Sequence, residues 1–347
     1  MSFNYLNTPY DEILELKESR IRIDDRFEDF ASLENYLYIQ VDQWYRDYPL
    51  PSLPNNIKVL VIYCIYKFPL NNLPSSIEVL IIDSEYDFPL ENLPINLYQL
   101  EFYCHRFPKS KYKHPLNFLP ESVKILNLKN TINQSSTNLP IGLIRLEFSI
   151  YTFTDEIVNY PPGLEILHLE NHSQITVIEV LNKIQMYFNL CELPLSIRIL
   201  GLSNIKIFNP ERILPRLINL ETLYIPDRAD YQILEYSPNL KKLYVDGVYE
   251  YKLVNLPSRL RIISLGWYND SLEEIVNSNI EHIDLDENMN LSVINNLPKS
   301  LKKITIIETH PELNKIKTLY PHLDIDILPD YDERERIIDS MRGDLWW

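Results

Sequence analysis

His168 and His172 lie four residues apart, with Glu170 between them. Imidazole and carboxylate are the donors of a zinc or iron site, so this trio is the first place to look for a metal. The text around it is strand-like. The pair falls at a strand end and not on a helix, where a His-Glu-x-x-His pair would sit. No third ligand is evident in a neighbouring segment, so the sequence predicts surface histidines on a strand edge. Asp284 and Asp286 also share one strand face. Paired carboxylates can do general acid–base work, but no cleft accompanies these two, and they read as acids on a solvated sheet face. The chain carries no Gly-x-Gly-x-x-Gly, no Walker loop, no His-Glu-x-x-His and no Cys-x-x-Cys. The expectation is a protein that is not an enzyme and holds no cofactor and no metal.

What positions these residues is a repeat. The pattern apolar-x-x-apolar-x-apolar starts at Ile57, Ile77, Leu97, Val123, Leu143, Leu164, Ile197, Leu220, Leu240, Leu260, Ile280 and Leu301. The commonest step between starts is 20 residues. The second and third positions hold as well, as in Leu60 and Ile62, Leu80 and Ile82, or Leu243 and Val245. One short strand per unit follows, with its period-two pair turned inward. A single unit cannot bury its apolar face alone. Stacked units about 4.8 Å apart make a continuous parallel sheet and core. The fold class predicted is an α/β solenoid, a leucine-rich-repeat-like curved array with a parallel concave sheet. Cys64 and Cys104 take the same slot two units apart, roughly 10 Å by that spacing. A disulfide needs Cα atoms within about 7 Å, so both are expected as packed thiols. Three cysteines, with Cys191 the third, suit a reducing compartment.

Leu-Pro precedes the strand at Pro54, Pro74, Pro94, Pro120, Pro140, Pro194, Pro257 and Pro298. Proline lacks the donor an interior strand needs, so it is placed just before the strand, where it stiffens the turn. An earlier aromatic-Pro-Leu element recurs at Tyr48-Pro49-Leu50, Phe68-Pro69-Leu70 and Phe88-Pro89-Leu90. Together these elements resemble the FNIP repeats, a subfamily of leucine-rich repeats of amoebozoan and giant-virus type, most clearly over residues 48–148. The resemblance implies a protein-interaction array, in some members placed behind an F-box. The Asn ladder of ordinary leucine-rich repeats is mostly missing: Asn288 sits three residues after Leu285, but Glu85, Thr131 and His172 fill that slot elsewhere. The backbone on that edge must be satisfied by other means.

The expected organisation is an N-terminal cap over 1–47, repeats over 48–319 (about twelve units), and a cap strand and helix over 320–347. Residues 8–20 read as a helix and 36–41, YLYIQV, as the first and atypical strand. A helical insertion falls near 175–190, where Ile178, Leu181, Ile184 and Phe188 follow helical spacing. The convex side is irregular in the N-terminal half. Short helices enter in the C-terminal half at Pro210, near Ser271 and Glu274, and after Pro311. Tyr320, Leu323 and Ile325 make the last strand, and 330–343 the closing helix.

Net charge is −16, which repels phosphate backbones and anionic membranes. No nucleic acid and no membrane are expected as partners, and no apolar run approaches the roughly 20 residues that span a bilayer. A cytoplasmic setting is expected, either host cytoplasm or a virion. The expected partner is a protein, with a basic surface as one possibility, bound on the concave face. The residues that register assigns to that face are Val59, Val61, Tyr63, Val79, Ile81, Glu101, Tyr103, Glu147, His168, Tyr224, Tyr244, Asp246, Asp284 and Asp286. Tyrosine beside acids is a usual interface mixture. The early apolar members, Val59 to Ile81, have two readings: they meet a partner, or the N-terminal segment folds over them. Two other roles stay open for the array. One is a structural or packaged component of a large virus. The other is a substrate receptor of a ubiquitin ligase, for which residues 1–35 lack the Leu-Pro-x-Glu start of an F-box.

Overall fold

The computed structural model describes residues 20–23, 30–41, 49–63, 66–83, 85–103, 112–132, 134–149, 152–153, 159–170, 192–203, 210–225, 232–245, 249, 251–266, 273–285 and 297–329. The expected helices at 8–20, 175–190 and 330–343, and all three cysteines, lie outside them. The chain divides into two compact units, Met1–Leu164 and Glu165–Trp347.

Among the described residues the first unit holds seven strands: β1 Arg20–Ile23, β2 Tyr38–Val41, β3 Val59–Ile62, β4 Val79–Asp83, β5 Gln99–Tyr103, β6 Ile125–Leu128 and β7 Arg145–Ser149. The second holds eight: β8 Ile166–Glu170, β9 Ile199–Ser203, β10 Thr222–Ile225, β11 Lys242–Val245, β12 Ile262–Leu265, β13 His282–Leu285, β14 Lys303–Ile307 and β15 Asp324–Leu328. Within each unit every strand runs parallel to its chain neighbours. One parallel strand per turn of chain is a leucine-rich-repeat-like solenoid fold.

The register repeats the sequence pattern. Leu60, Leu80, Leu100, Leu126 and Leu146 pair in one row, and Ile62, Ile82 and Phe102 in the next. All twelve sequence trios are buried, from Ile57, Leu60 and Ile62 to Leu301, Ile304 and Ile306. Each fully buried aliphatic side chain contributes about 1.5–3 kcal/mol against the entropy of ordering its unit. The Leu-Pro prolines act through their carbonyls. The Pro74 oxygen accepts the Ile77 N–H at 3.1 Å, and Pro94, Pro140 and Pro257 do the same for Leu97, Leu143 and Leu260. A proline therefore opens a tight turn whose closing donor is the first buried residue of the strand, and its missing N–H costs nothing there.

Convex elements follow the expected change of character. Among the described residues the first unit carries only 3-10 turns there, Phe30–Asn35 and Ser136–Asn138. The second carries α1 Pro210–Ile213, α2 Glu273–Val276 and α3 Leu313–Leu319.

Both end strands differ from the sequence reading. The first strand is β1, not 36–41; it pairs Ile21 with Ile39 and Ile23 with Val41. Its first pattern position is Glu18 instead of an apolar residue, which hides it from the periodicity. The last strand is offset by two residues. Ile325 and Ile327 pair with Ile304 and Ile306, while Leu323 is buried beneath the turn that its N–H closes on the Tyr320 carbonyl at 3.1 Å.

Candidate functional site

Strand alternation points one side chain in two away from the repeat core, and these are the residues assigned to the concave face. In the first unit Tyr38, Val59, Val79 and Gln99 form one such row, and Gln40, Val61, Ile81 and Glu101 the next. The early apolar members are buried within the chain: Val59 is 1% exposed and Val61 0%. With Tyr38, Val79 and Ile81 they make a closed apolar cluster against which Tyr63 packs. The cluster is thus buried within the chain. Burial removes the standing exposed surface that docking a partner there requires.

Glu101, Asn127 and Glu147 continue the second row. Glu147 is buried and ion-paired on both oxygens, with Arg145 on Oε1 and the Lys129 ammonium 2.9 Å from Oε2. Glu101 lies two strands away, roughly 10 Å along the sheet. Its carboxyl is pushed up to about 7, first by burial and then by the Glu147 carboxylate. Arg145, Lys129 and a 3.3 Å hydrogen bond from Gln99 offset part of that shift. Glu101 is therefore a buried carboxyl shifted toward neutrality, two strands from the ion-paired Glu147. Tyr103 closes β5, and its side chain lies outside the described residues.

In the second unit the corresponding row is His168, Gly201, Tyr224, Tyr244, Ser264, Asp284 and Thr305. His168, Tyr224 and Tyr244 are brought together and buried. The His168 ring spans the missing side chain of Gly201, where a Cβ would stand 2.6 Å from its Cδ2. It meets Tyr224 edge-on at 6.1 Å, and Tyr224 stacks on Tyr244 at 4.5 Å. Asp284 is buried and accepts the Ser264 hydroxyl at 2.8 Å. From the adjacent row His282 Nε2 comes within 2.8 Å of the Thr305 hydroxyl. Burial, and then the Lys303 charge, lower the His282 pKa below the ordinary histidine value. His172, Asp246 and Asp286 lie outside the described residues. Among the described residues no group of three or more His, Cys, Asp or Glu side chains could hold a metal ion. Among them, too, no helix is long and apolar enough to cross a membrane.

Exposed apolar surface occurs elsewhere, at a repeat position the sequence reading passed over. Two residues before the first buried position of the strand stand Ile95, Ile141, Leu195 and Ile218, 73%, 70%, 50% and 48% exposed. They sit on the pre-strand turn, and their backbone is held. Asn219 Nδ2 donates to the Leu195 carbonyl at 2.8 Å, and Asn239 Nδ2 to the Ile218 carbonyl at 2.7 Å. Ser122 Oγ donates to the Ile95 carbonyl at 2.7 Å. Asn96, Asn279 and Ser300 make the same bond at Ser75, Ser258 and Ser278. An Asn/Ser ladder thus exists, but it lies before the strand instead of after it.

At the residue just before each strand, charges alternate between turns. Arg198 lies 3.6 Å from Glu165 and 3.3 Å from Glu221, and Lys241 lies 2.8 Å from Glu221. In the first unit Lys58 and Glu78 pair at 2.5 Å. In the second unit this ion ladder and Ile218 line one shallow groove, with Arg259 at its far side. The signal for the exposed row was present in the sequence. Once the units are aligned, Ile95, Ile141, Leu195 and Ile218 share a column that elsewhere holds Asn55, Ser75 and Ser258.

No protein-family model matches the chain, and no curated protein matches it. Among solved structures the chain is similar to CroV588, described as a novel circular leucine-rich-repeat protein, at 19% identity over 85% of this chain and 53% of that one, with a TM-score of 0.43. It is also similar to YopM from Yersinia enterocolitica WA-314, at 21% identity over 78% of this chain and 60% of that one, with a TM-score of 0.40. The chain thus spans between half and two thirds of the length of either structure.

Proposed function

We propose that this chain is a non-catalytic scaffold that binds a protein partner through its repeat array. The observation that carries the reading is the row of exposed aliphatic side chains on the pre-strand turns, with Ile95, Leu195 and Ile218 presented on backbone tied to the next turn. Large aliphatic groups aligned at one repeat position mark a contact surface better than scattered ones do. Backbone ordered in advance reduces the entropy lost when a partner docks. The contact centres on Leu195 and Ile218 of the second unit, beside the Glu165–Arg198–Glu221–Lys241 ladder, which supplies the polar rim. Net charge of −16 favours encounter with a partner of basic surface. The resemblance of residues 48–148 to FNIP repeats supports the same reading, since that family supplies protein-interaction arrays.

Affinity capture tests it. The wild-type chain is compared with Leu195→Asp/Ile218→Asp and with Leu234→Asp, an equally exposed leucine at another repeat position. A partner retained by wild type and Leu234→Asp and lost by the double variant is the expected result. A captured set that the double variant leaves unchanged overturns the assignment.

A further inference from the structure

The two end strands carry complementary text. β1 reads Arg20-Ile21-Arg22-Ile23, and β15 reads Asp324-Ile325-Asp326-Ile327 before its final leucine. Among the described residues β1 pairs only with β2, and β15 only with β14. Among the described residues each therefore has one edge with no second strand beside it, the usual template for adding another strand.

Register makes the match specific. Arg20 and Asp324 occupy the same repeat position, since both lie in the row that contains Tyr38 in the first unit and Lys303 in the second. Arg22 and Asp326 share the next concave-side position, opposite Gln40 and Thr305. Ile21 and Ile23 occupy the two core positions, and so do Ile325 and Ile327. The ends of the apolar core are not closed there: Ile21 and Ile325 are half-buried, and Ile327 is 38% exposed. Arg22, Asp324 and Asp326 are exposed. Opposite charges on neighbouring turns are already this chain's own device, as in Lys58–Glu78 and Arg261–Glu281–Lys302.

We propose that a second copy of this chain docks head to tail, its β1 adding in parallel beside β15. Arg20 then faces Asp324, Arg22 faces Asp326, and the two isoleucine pairs continue the core columns. The contact is heterologous, so it leaves one free end of each kind and propagates to rings or open assemblies. Like charges would meet if two β1 edges or two β15 edges came together, which restricts pairing to the head-to-tail sense. Asp326 already lies 2.9 Å from the Lys303 ammonium, so the arriving Arg22 extends an existing ion pair.

Sedimentation of the full chain over roughly a hundredfold range of concentration tests this by mass action. The mass is expected to rise from the 41.2 kDa monomer to at least the dimer as concentration increases, and to fall back in high salt. Arg20→Asp/Arg22→Asp makes both ends acidic, and Asp324→Arg/Asp326→Arg makes both ends basic. Each variant alone is expected to stay monomeric, and an equimolar mixture to regain the association. A wild-type chain that stays at the monomer mass throughout overturns the proposal, whether or not the variants fold. Association retained by both folded variants alone also overturns it, as does a mixture of them that remains monomeric.

Discussion

The hydroxyl of Tyr86 accepts the backbone N–H of Leu70 at 2.8 Å, sixteen residues back along the chain. The bond recurs from turn to turn. Tyr66 takes the Leu50 N–H at 2.6 Å, Tyr112 bonds the Leu90 backbone, and Tyr249 takes the Ile233 N–H at 3.2 Å. Gln134 replaces the tyrosine at Leu116, with its Oε1 2.9 Å from the amide. In the first unit the rings stack as they climb, Tyr66 on Tyr86 at 6.5 Å and Tyr86 on Tyr112 at 6.4 Å. In the first unit the residue served is the leucine after proline, whose amide is the first donor the convex segment must satisfy. This tyrosine ladder does on the convex side what asparagine does in other repeats.

Tyr86→Phe keeps the stack and removes the acceptor, leaving the buried Leu70 amide unpaired. The expected loss is about 1–3 kcal/mol. Tyr98, half-buried in the same unit, is the comparison, and Tyr98→Phe is expected to stay within about 0.5 kcal/mol of wild type. Urea unfolding of the two variants measures the difference. Equal midpoints would remove the ladder from the account of stability.

Much of this framework is legible in the residues themselves. The twelve trios give the strands, their spacing gives the parallel sheet, and Leu-Pro gives the turns. Three things are not legible, for separate physical reasons. β1 is hidden because Glu18 stands where an apolar residue marks the twelve aligned units, and only pairing with β2 reveals the strand. Burial of Val59 and Val61 is hidden because alternation assigns a side chain to a face but carries no information about what covers it. The tyrosine ladder is hidden because the bond joins positions sixteen residues apart that become neighbours only once the turns stack. The exposed row at Ile95, Ile141, Leu195 and Ile218 was readable. Its column lies in the turn before the strand, outside the apolar pattern that marks the strands.

Glu101 couples stability to pH. Its carboxyl titrates near 7 when folded, against about 4.5 in the open chain. Between those values the folded chain holds a proton that the unfolded chain has released, so stability declines as pH rises from about 4.5 to 7 and levels off above. Glu101→Gln removes the cost of ionising beside Glu147. It is expected to stabilise the chain by about 1–3 kcal/mol at pH 8 and by little at pH 4.5. Thermal unfolding at the two pH values checks this. A variant no more stable than wild type at pH 8 would contradict it.

The Asn/Ser ladder is expected to hold the pre-strand turns that present the exposed row. Asn219→Ala removes the donor to the Leu195 carbonyl at an exposed site. The global cost is small, about 0.5–1.5 kcal/mol. The local effect is larger: amide exchange across residues 192–198 is expected to quicken severalfold, with 238–242 unchanged. Exchange at 192–198 that matches wild type would show that the turn is held by something other than Asn219.

Gly201 and His168 are expected to be coupled. The ring fills the space where any other residue at 201 would place its Cβ, and that position lies 2.6 Å from Cδ2. Gly201→Ala therefore drives the ring from its place against Tyr224 and disturbs the Tyr224–Tyr244 stack beside it. Overpacking of this kind costs about 1–3 kcal/mol. His168→Ala empties the same space. In that background Gly201→Ala is expected to cost less than about 0.5 kcal/mol, because the added methyl group then fills a void. The double-mutant cycle from denaturant unfolding gives the coupling directly. A coupling energy near zero would mean that the ring yields freely and that glycine at 201 is not required by His168.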